Sequence, residues 1–306
     1  MNTPIKTKKP AKAKKAEAPA LVAYKGFNKD LTCLGFQYEL GKTYDNGGKP
    51  VVRCGAGAFH WVDNPMDAFS YYPPATSRYT MVNPAGEIAR DPGGDTKGAS
   101  SILTVTVDIS IGDMVRNAVA WIAEKAKVRT TGDGAHSATT GYGAHSATTG
   151  DRAHSATTGD RAHSATTGYG AHSATTGYGA HSATTGDRAH SATTGDRAHS
   201  ATTGYGAHSA TTGDDAHSAT TGDRAHSATT GDDAHSATTG RNAIAHAAGV
   251  RSTASAHEGG AISLAAYDDN HNLVAVRSSL VGQNGIEAGK TYRLTVEGEF
   301  EEVEDR

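Results

Sequence analysis

Residues 135–150 read AHSATTGYGAHSATTG, and the AHSATTG heptad returns every nine residues up to residue 240. Aligned on histidine, the twelve copies centre on His136, His145, His154, His163, His172, His181, His190, His199, His208, His217, His226 and His235. Only the pair between heptads varies: Asp133-Gly134 first, then Asp-Arg at five places, Tyr-Gly at four, and Asp-Asp at 214 and 232. A fixed period over so many copies marks a stacked repeat fold and outweighs local propensity. AHSATT can run extended, while glycine and the variable pair supply turn chemistry, since glycine tolerates positive φ and Asp bonds nearby backbone. One short strand per repeat follows. Nine residues are too few to close a coil, so two repeats per coil are expected, and six coils at the strand spacing give a rod about 29 Å long.

Strand alternation puts Ala135, Ser137 and Thr139 on one face and His136, Ala138 and Thr140 on the other. The small set belongs inside, because two facing strands with little between them have no room for an imidazole at every level. A surface ladder of histidines is therefore expected, over an interior held by backbone pairing and stacked Ser and Thr hydrogen bonds. The competing reading is a disordered low-complexity linker. A calcium β-roll lacks its paired glycines and mid-repeat Asp. Ice binding needs threonines on one face, whereas Thr139 and Thr140 must point oppositely. The variable pairs sum to only −5, thin for a DNA mimic. Histidines in register could take transition metals or charge together on acidification, but identical copies more simply reflect repeat duplication. No catalytic, cofactor-binding or dedicated metal set is expected.

The chain is 36% hydrophobic over 306 residues, a deficit confined to the array. The expected class is mainly β: a nonapeptide β-solenoid flanked by a small α+β N-terminal domain and a small antiparallel β C-terminal domain. The divisions are a disordered basic tail at 1–20, the α+β domain at 21–110, an amphipathic helix at 111–129 that caps the solenoid, the solenoid with atypical last coils at 130–260, and the terminal strands at 261–306. Within 21–110, turns are expected at 45–48 and 91–94. A brief helix should be capped by Asp63 or Asn64, with Met66, Phe69 and Tyr72 facing inward. In the amphipathic helix, Ile111, Val115, Ala118 and Ile122 share one stripe.

Two GKTY segments, at 41–44 and 289–292, fail the spacing of a phosphate loop and read as turns before strands. Cys54 and His60 beside Asp63 form the one nucleophile-like constellation, although closeness in sequence is not triad geometry. The two cysteines, Cys33 and Cys54, read as reduced and semi-buried. A net charge of −3 argues against nucleic acid as a partner, except weakly through the Lys-rich tail. No run of 18 apolar residues appears, so no membrane partner is expected.

The chain resembles an uncharacterised family of tailed-phage and prophage proteins. The residues that carry this are Tyr24-Lys25-Gly26-Phe27, the run CLGFQYELGKTY at 33–44, Asn64-Pro65-Met66-Asp67-Ala68-Phe69 with Tyr71-Tyr72-Pro73, and Gly98-Ala99-Ser100-Ser101. The TGDR-type repeats and the segment Leu264-Ala265-Ala266-Tyr267-Asp268-Asp269 complete it. That family carries TGDRSAAT-like nonapeptides where this chain has AHSATT. The resemblance implies a viral origin and no particular activity. The expectation is a non-enzymatic rod, a rigid spacer or binding element for a host or virion protein. It would act in the host cytoplasm or in association with the virion. A homo-oligomer is expected too, since thin solenoids gain burial by lateral association. Two alternatives remain: an intracellular accessory protein that binds a host protein, nucleic acid or nucleotide, and an enzyme in the N-terminal domain with the array as oligomerisation element.

Overall fold

The computed structural model describes residues 21–52, 57–74, 76–90, 96–126 and 128–303. The basic tail, the turn at 91–94 and Cys54 lie outside them. Every nonapeptide forms one strand over its HSATT segment, as in His136–Thr140 and His145–Thr149. Successive strands alternate between two sheets. Each therefore pairs in parallel with the strand eighteen residues on, His145 opposite His163 and Thr149 opposite Thr167. Two repeats thus make one turn. The twelve repeats make the expected six turns, Ile244–Ala248 and Thr253–Ser255 form the expected atypical last coil, and Val128–Thr131 and Ala261–Tyr267 also continue the ladders, which brings the turns to eight. From first to last rung the stack is about 34 Å long at ordinary strand spacing.

The interior is built from the small set, with Ala162, Ser164 and Thr166 all buried. Serine hydroxyls form one chain that crosses between the sheets from repeat to repeat. Ser182 donates to Ser173 at 2.7 Å, and Ser191 to Ser182 at 2.7 Å. The inner threonines do not share in this, contrary to expectation. The hydroxyls of Thr175, Thr184 and Thr193 are buried with no hydrogen-bond partner, so there the methyl group fills the space and the hydroxyl is a cost. Two changes within the one strand His181–Thr185 should therefore move stability in opposite directions. Ser182→Ala breaks the chain and is expected to cost about 1–3 kcal/mol, whereas Thr184→Val removes an unsatisfied group and should be neutral or stabilising by about 1 kcal/mol. Urea unfolding followed by far-ultraviolet dichroism measures both, and equal losses would contradict the assignment.

The N-terminal domain is antiparallel. Lys97–Ile109 pairs with Phe59–Val62, which pairs with Ala23–Asn28, which pairs with Ser77–Arg90. Ser77–Arg90 pairs back to Lys97–Ile109, so four strands close a ring, with Thr43–Asp45 outside it. Phe27, Trp61, Val82, Leu103 and Val105 fill its interior. The brief helix expected after residue 63 is a 3-10 helix, Pro65–Ser70, whose cap Asn64 accepts a hydrogen bond from the Met66 amide. Both GKTY segments precede strands as expected, and they share a device. The Glu39 and Glu287 amides donate to the hydroxyls of Tyr44 and Tyr292, while Lys42 and Lys290 pair with those same glutamates.

The amphipathic helix forms as α1, Ile111–Lys125, with Ser110 and Asp113 in a capping box. It does not cap the solenoid. Its stripe of Met114, Val115, Ala118 and Ile122 lies along the flank of one sheet, against Ala165, Ala183 and Ala201. The reason is the short link from α1 into Val128–Thr131, the first rung of that sheet. A helix joined so closely to a strand packs on that strand's own sheet. At the other end Leu273–Leu280 and Thr291–Leu294 add antiparallel strands to the two solenoid sheets, with Phe300–Glu302 beyond the latter, instead of folding apart.

Candidate interaction face

Twelve identical repeats acquire two different environments. On the sheet whose histidines begin at His145 the N-terminal domain covers the histidine side, so His163, His181, His199 and His217 are buried, His199 to 1% exposure. This corrects the expectation that all twelve histidines stand on the surface. The domain meets them with matched groups. Asn64 lies 3.3 Å from His163 Nδ1, Ser70 Oγ 3.1 Å from His199 Nε2, and Asp67 Oδ1 3.4 Å from His181 Nε2. Trp121 packs edge-on to His163 at 5.8 Å between ring centres. Burial, and then the charge of neighbouring imidazoles, holds His163, His199 and His217 well below the ordinary histidine value.

On the other sheet the same positions are bare. His136, His154, His172, His190, His208 and His226 stack face to face, with ring centres 4.7–4.9 Å apart and planes within 9° of parallel. Beside them run a column of exposed alanines, Ala156 to Ala210 on successive rungs, and a column of exposed threonines, Thr158 to Thr212. The histidine and alanine columns bound an open groove of about 770 Å³. Parallel rings mean a flat sheet, which ladders of stacked side chains can stabilise against the usual twist. The same stacking bears on metal binding. A transition metal sits about 2.1 Å from each imidazole nitrogen along its in-plane lone pair. Stacked rings direct those lone pairs in parallel at a spacing wider than two such bonds, so neighbours cannot share an ion. Among the described residues no group of three or more His, Cys, Asp or Glu side chains could hold one.

The variable pairs line the two edges, and their order follows the turn. Where the pair one rung below begins with Asp, that carboxylate holds the first residue of the next, as Tyr205 N donating to Asp187 Oδ1 at 2.9 Å. The second residue has positive φ whether it is Gly206 or Arg188. Each Tyr-Gly is followed one rung on by Asp-Arg, which sets Arg161, Arg188, Arg197 and Arg224 over the rings of Tyr142, Tyr169, Tyr178 and Tyr205 at 5.6–5.8 Å. The signal was in the sequence, but at a spacing of eighteen, and a nine-residue reading does not reveal it.

Of the nucleophile-like constellation, the structure describes His60 and Asp63. Asp63 is engaged by Arg90, whose Nη2 lies 3.2 Å from Oδ1, and His60 faces a separate cavity in the N-terminal domain. Cys54 lies outside the described residues.

Comparison with known proteins adds one match. Residues 21–117 fit a family model described as a domain of unknown function, DUF7666. The match spans the closed ring of strands and the first turns of α1 and stops before the array, so it covers the docked domain up to the second half of its helix. No curated protein and no solved structure matches the chain.

Proposed function

We propose that the protein is a non-enzymatic scaffold of a tailed phage or prophage. Its docked sheet carries the N-terminal domain and its free sheet takes a second protein, from the host or the virion, in the host cytoplasm or on the particle. One observation supports this above the rest: the same histidine, alanine and threonine columns already serve as a protein-binding surface within the chain. There the alanine column receives an apolar helix stripe, and the histidines receive Asn, Ser and Asp side chains. The free face repeats those columns in register, so the partner best suited to it is an amphipathic helix whose apolar stripe is flanked by small polar and acidic residues. The resemblance to phage proteins supports the origin.

The free face can be spoiled without touching the docked one. Ala174→Glu places a charge in the middle of the exposed alanine column, where the side chain points to solvent. A photo-crosslinker at Ala192 in cells where the encoding phage replicates should capture a helical segment of one partner. Ala174→Glu should reduce that capture at least about tenfold with the melt unchanged. Equal capture by the variant would refute the reading, and crosslinks to a second copy would replace the partner with self-association. A partner of the virion must also copurify with particles in fixed stoichiometry.

A further inference from the structure

Away from the solenoid, the N-terminal ring of strands holds a cavity of about 390 Å³ whose lining includes Lys25, Cys33, Trp61, Tyr72 and Lys97 and, among the described residues, contains no Asp or Glu. Lys25 is 6% exposed. Its ammonium donates to His60 O at 3.1 Å and Cys33 Sγ at 3.4 Å, and stands over the rings of Phe27 and Tyr38 at 5.2 and 5.6 Å. An ammonium has three protons to donate, so one is left without an oxygen or sulfur partner, and no carboxylate among the described residues pairs with Lys25. A buried cation without a counter-charge is costly. Burial accordingly lowers its pKa, the neighbouring Cys33 opposes this in part, and Lys97 adds to the lowering.

The walls are aromatic and fixed in place. A Cβ on Gly26 would stand 2.6 Å from Tyr72, and one on Gly98 would stand 2.5 Å from the Trp61 ring, so glycines on two strands let both rings lie against the sheet. Lys97 lies over the ring of Tyr71 at 4.4 Å. Size, aromatic walls and a few convergent polar groups are the makings of a small-molecule site.

We propose that this cavity binds a small organic anion, a carboxylate or phosphate carried on a planar ring, with the anionic group completing the environment of Lys25 and the ring against Trp61 and Tyr72. The ligand is held, not turned over, and the site is independent of the free solenoid face.

Calorimetric titration of the full chain with 4-hydroxybenzoate and with AMP tests this and separates the two sources of the anion, with benzyl alcohol and adenosine as uncharged counterparts. At least one anion should saturate, its neutral counterpart should bind at least about tenfold more weakly, and Lys25→Met should weaken the anion by a similar factor. Should Lys25→Met fail to fold, Leu34 at the cavity mouth, 93% exposed, supplies a variant that leaves the core alone. Leu34→Glu should weaken the anion and Leu34→Lys strengthen it, by about threefold or more each way. No saturation by either anion up to about 10 mM, or affinities indifferent to both the Lys25 and Leu34 changes, overturns the proposal.

Discussion

A Gly204→Ala variant will lose the cooperative unfolding of the array, while Gly206→Asn, two residues away in the same turn, will keep it. Gly204 has φ of +153°, and an added Cβ would stand 2.1 Å from the carbonyl oxygen of Gly186 and 2.5 Å from its carbon. Both atoms belong to the backbone of the neighbouring rung. The Gly186 amide donates to Thr203 O at 2.8 Å and the Gly204 amide to Thr221 O at 2.9 Å, so neither rung can withdraw without breaking the ladder on both sides of the turn. Backbone strain of about 1–3 kcal/mol adds to the clash, and the total loss is expected at roughly 4 kcal/mol or more. Gly206 has φ of +60° with nothing within 4 Å of its would-be Cβ, and in other repeats that place is held by Arg or Asp. Asparagine there should cost less than about 1 kcal/mol, since it tolerates the left-handed region better than most residues. Urea midpoints of the two variants decide the matter; a shared midpoint would mean that the rungs are not in the close backbone contact described.

Acid will loosen the docked domain before it affects the rest. His163, His199 and His217 have folded values well below the ordinary 6.5, with burial the leading cause. In the unfolded chain each takes a proton as the pH falls through 6.5, whereas in the folded chain it stays neutral. The unfolded state then binds more protons, so stability is complete above 6.5 and falls as pH drops toward the lowered folded values. The slope rises toward about 1.4 kcal/mol per pH unit for each histidine, and since the unfolded groups are half protonated at 6.5, the three together cost roughly 3 kcal/mol between pH 6.5 and 5.5. On the free sheet His154, His172 and His208 are also lowered, by burial and then by neighbouring imidazoles, but water screens that row and its share is small. Thermal melts at pH 7.5 and 5.5, with Trp121 fluorescence reporting the interface in a Trp61→Phe background, provide the check. A melting temperature unchanged between the two would show that the row of histidines is not sealed under the domain.

Much of the fold follows from the repeat itself. The nine-residue period, the small residues at alternate positions and a glycine at the end of each strand are enough to require two strands per turn, Ala, Ser and Thr inside, and histidine outside. The capping box at Ser110 and the apolar stripe of α1 are equally local. The closed ring of the N-terminal domain is not local, because it joins Ala23–Asn28 to both Phe59–Val62 and Ser77–Arg90, and Phe59–Val62 to Lys97–Ile109, through pairings that no short window contains. Lys25 gave no sign either: a lysine in a strand reads as a solvated side chain until the sheet closes over it.

The sequence by itself determined the rungs, since every HSATT segment meets the same steric and hydrogen-bonding demands from the copies above and below. It could not say which histidines would face water. His199 and His190 sit in identical heptads, yet one is buried and the other exposed. Only the tertiary structure decided that, because α1 is tied by a short link to the first rung of one sheet and its apolar stripe is satisfied once, on that sheet's alanines, leaving the opposite face with the same columns and nothing over them.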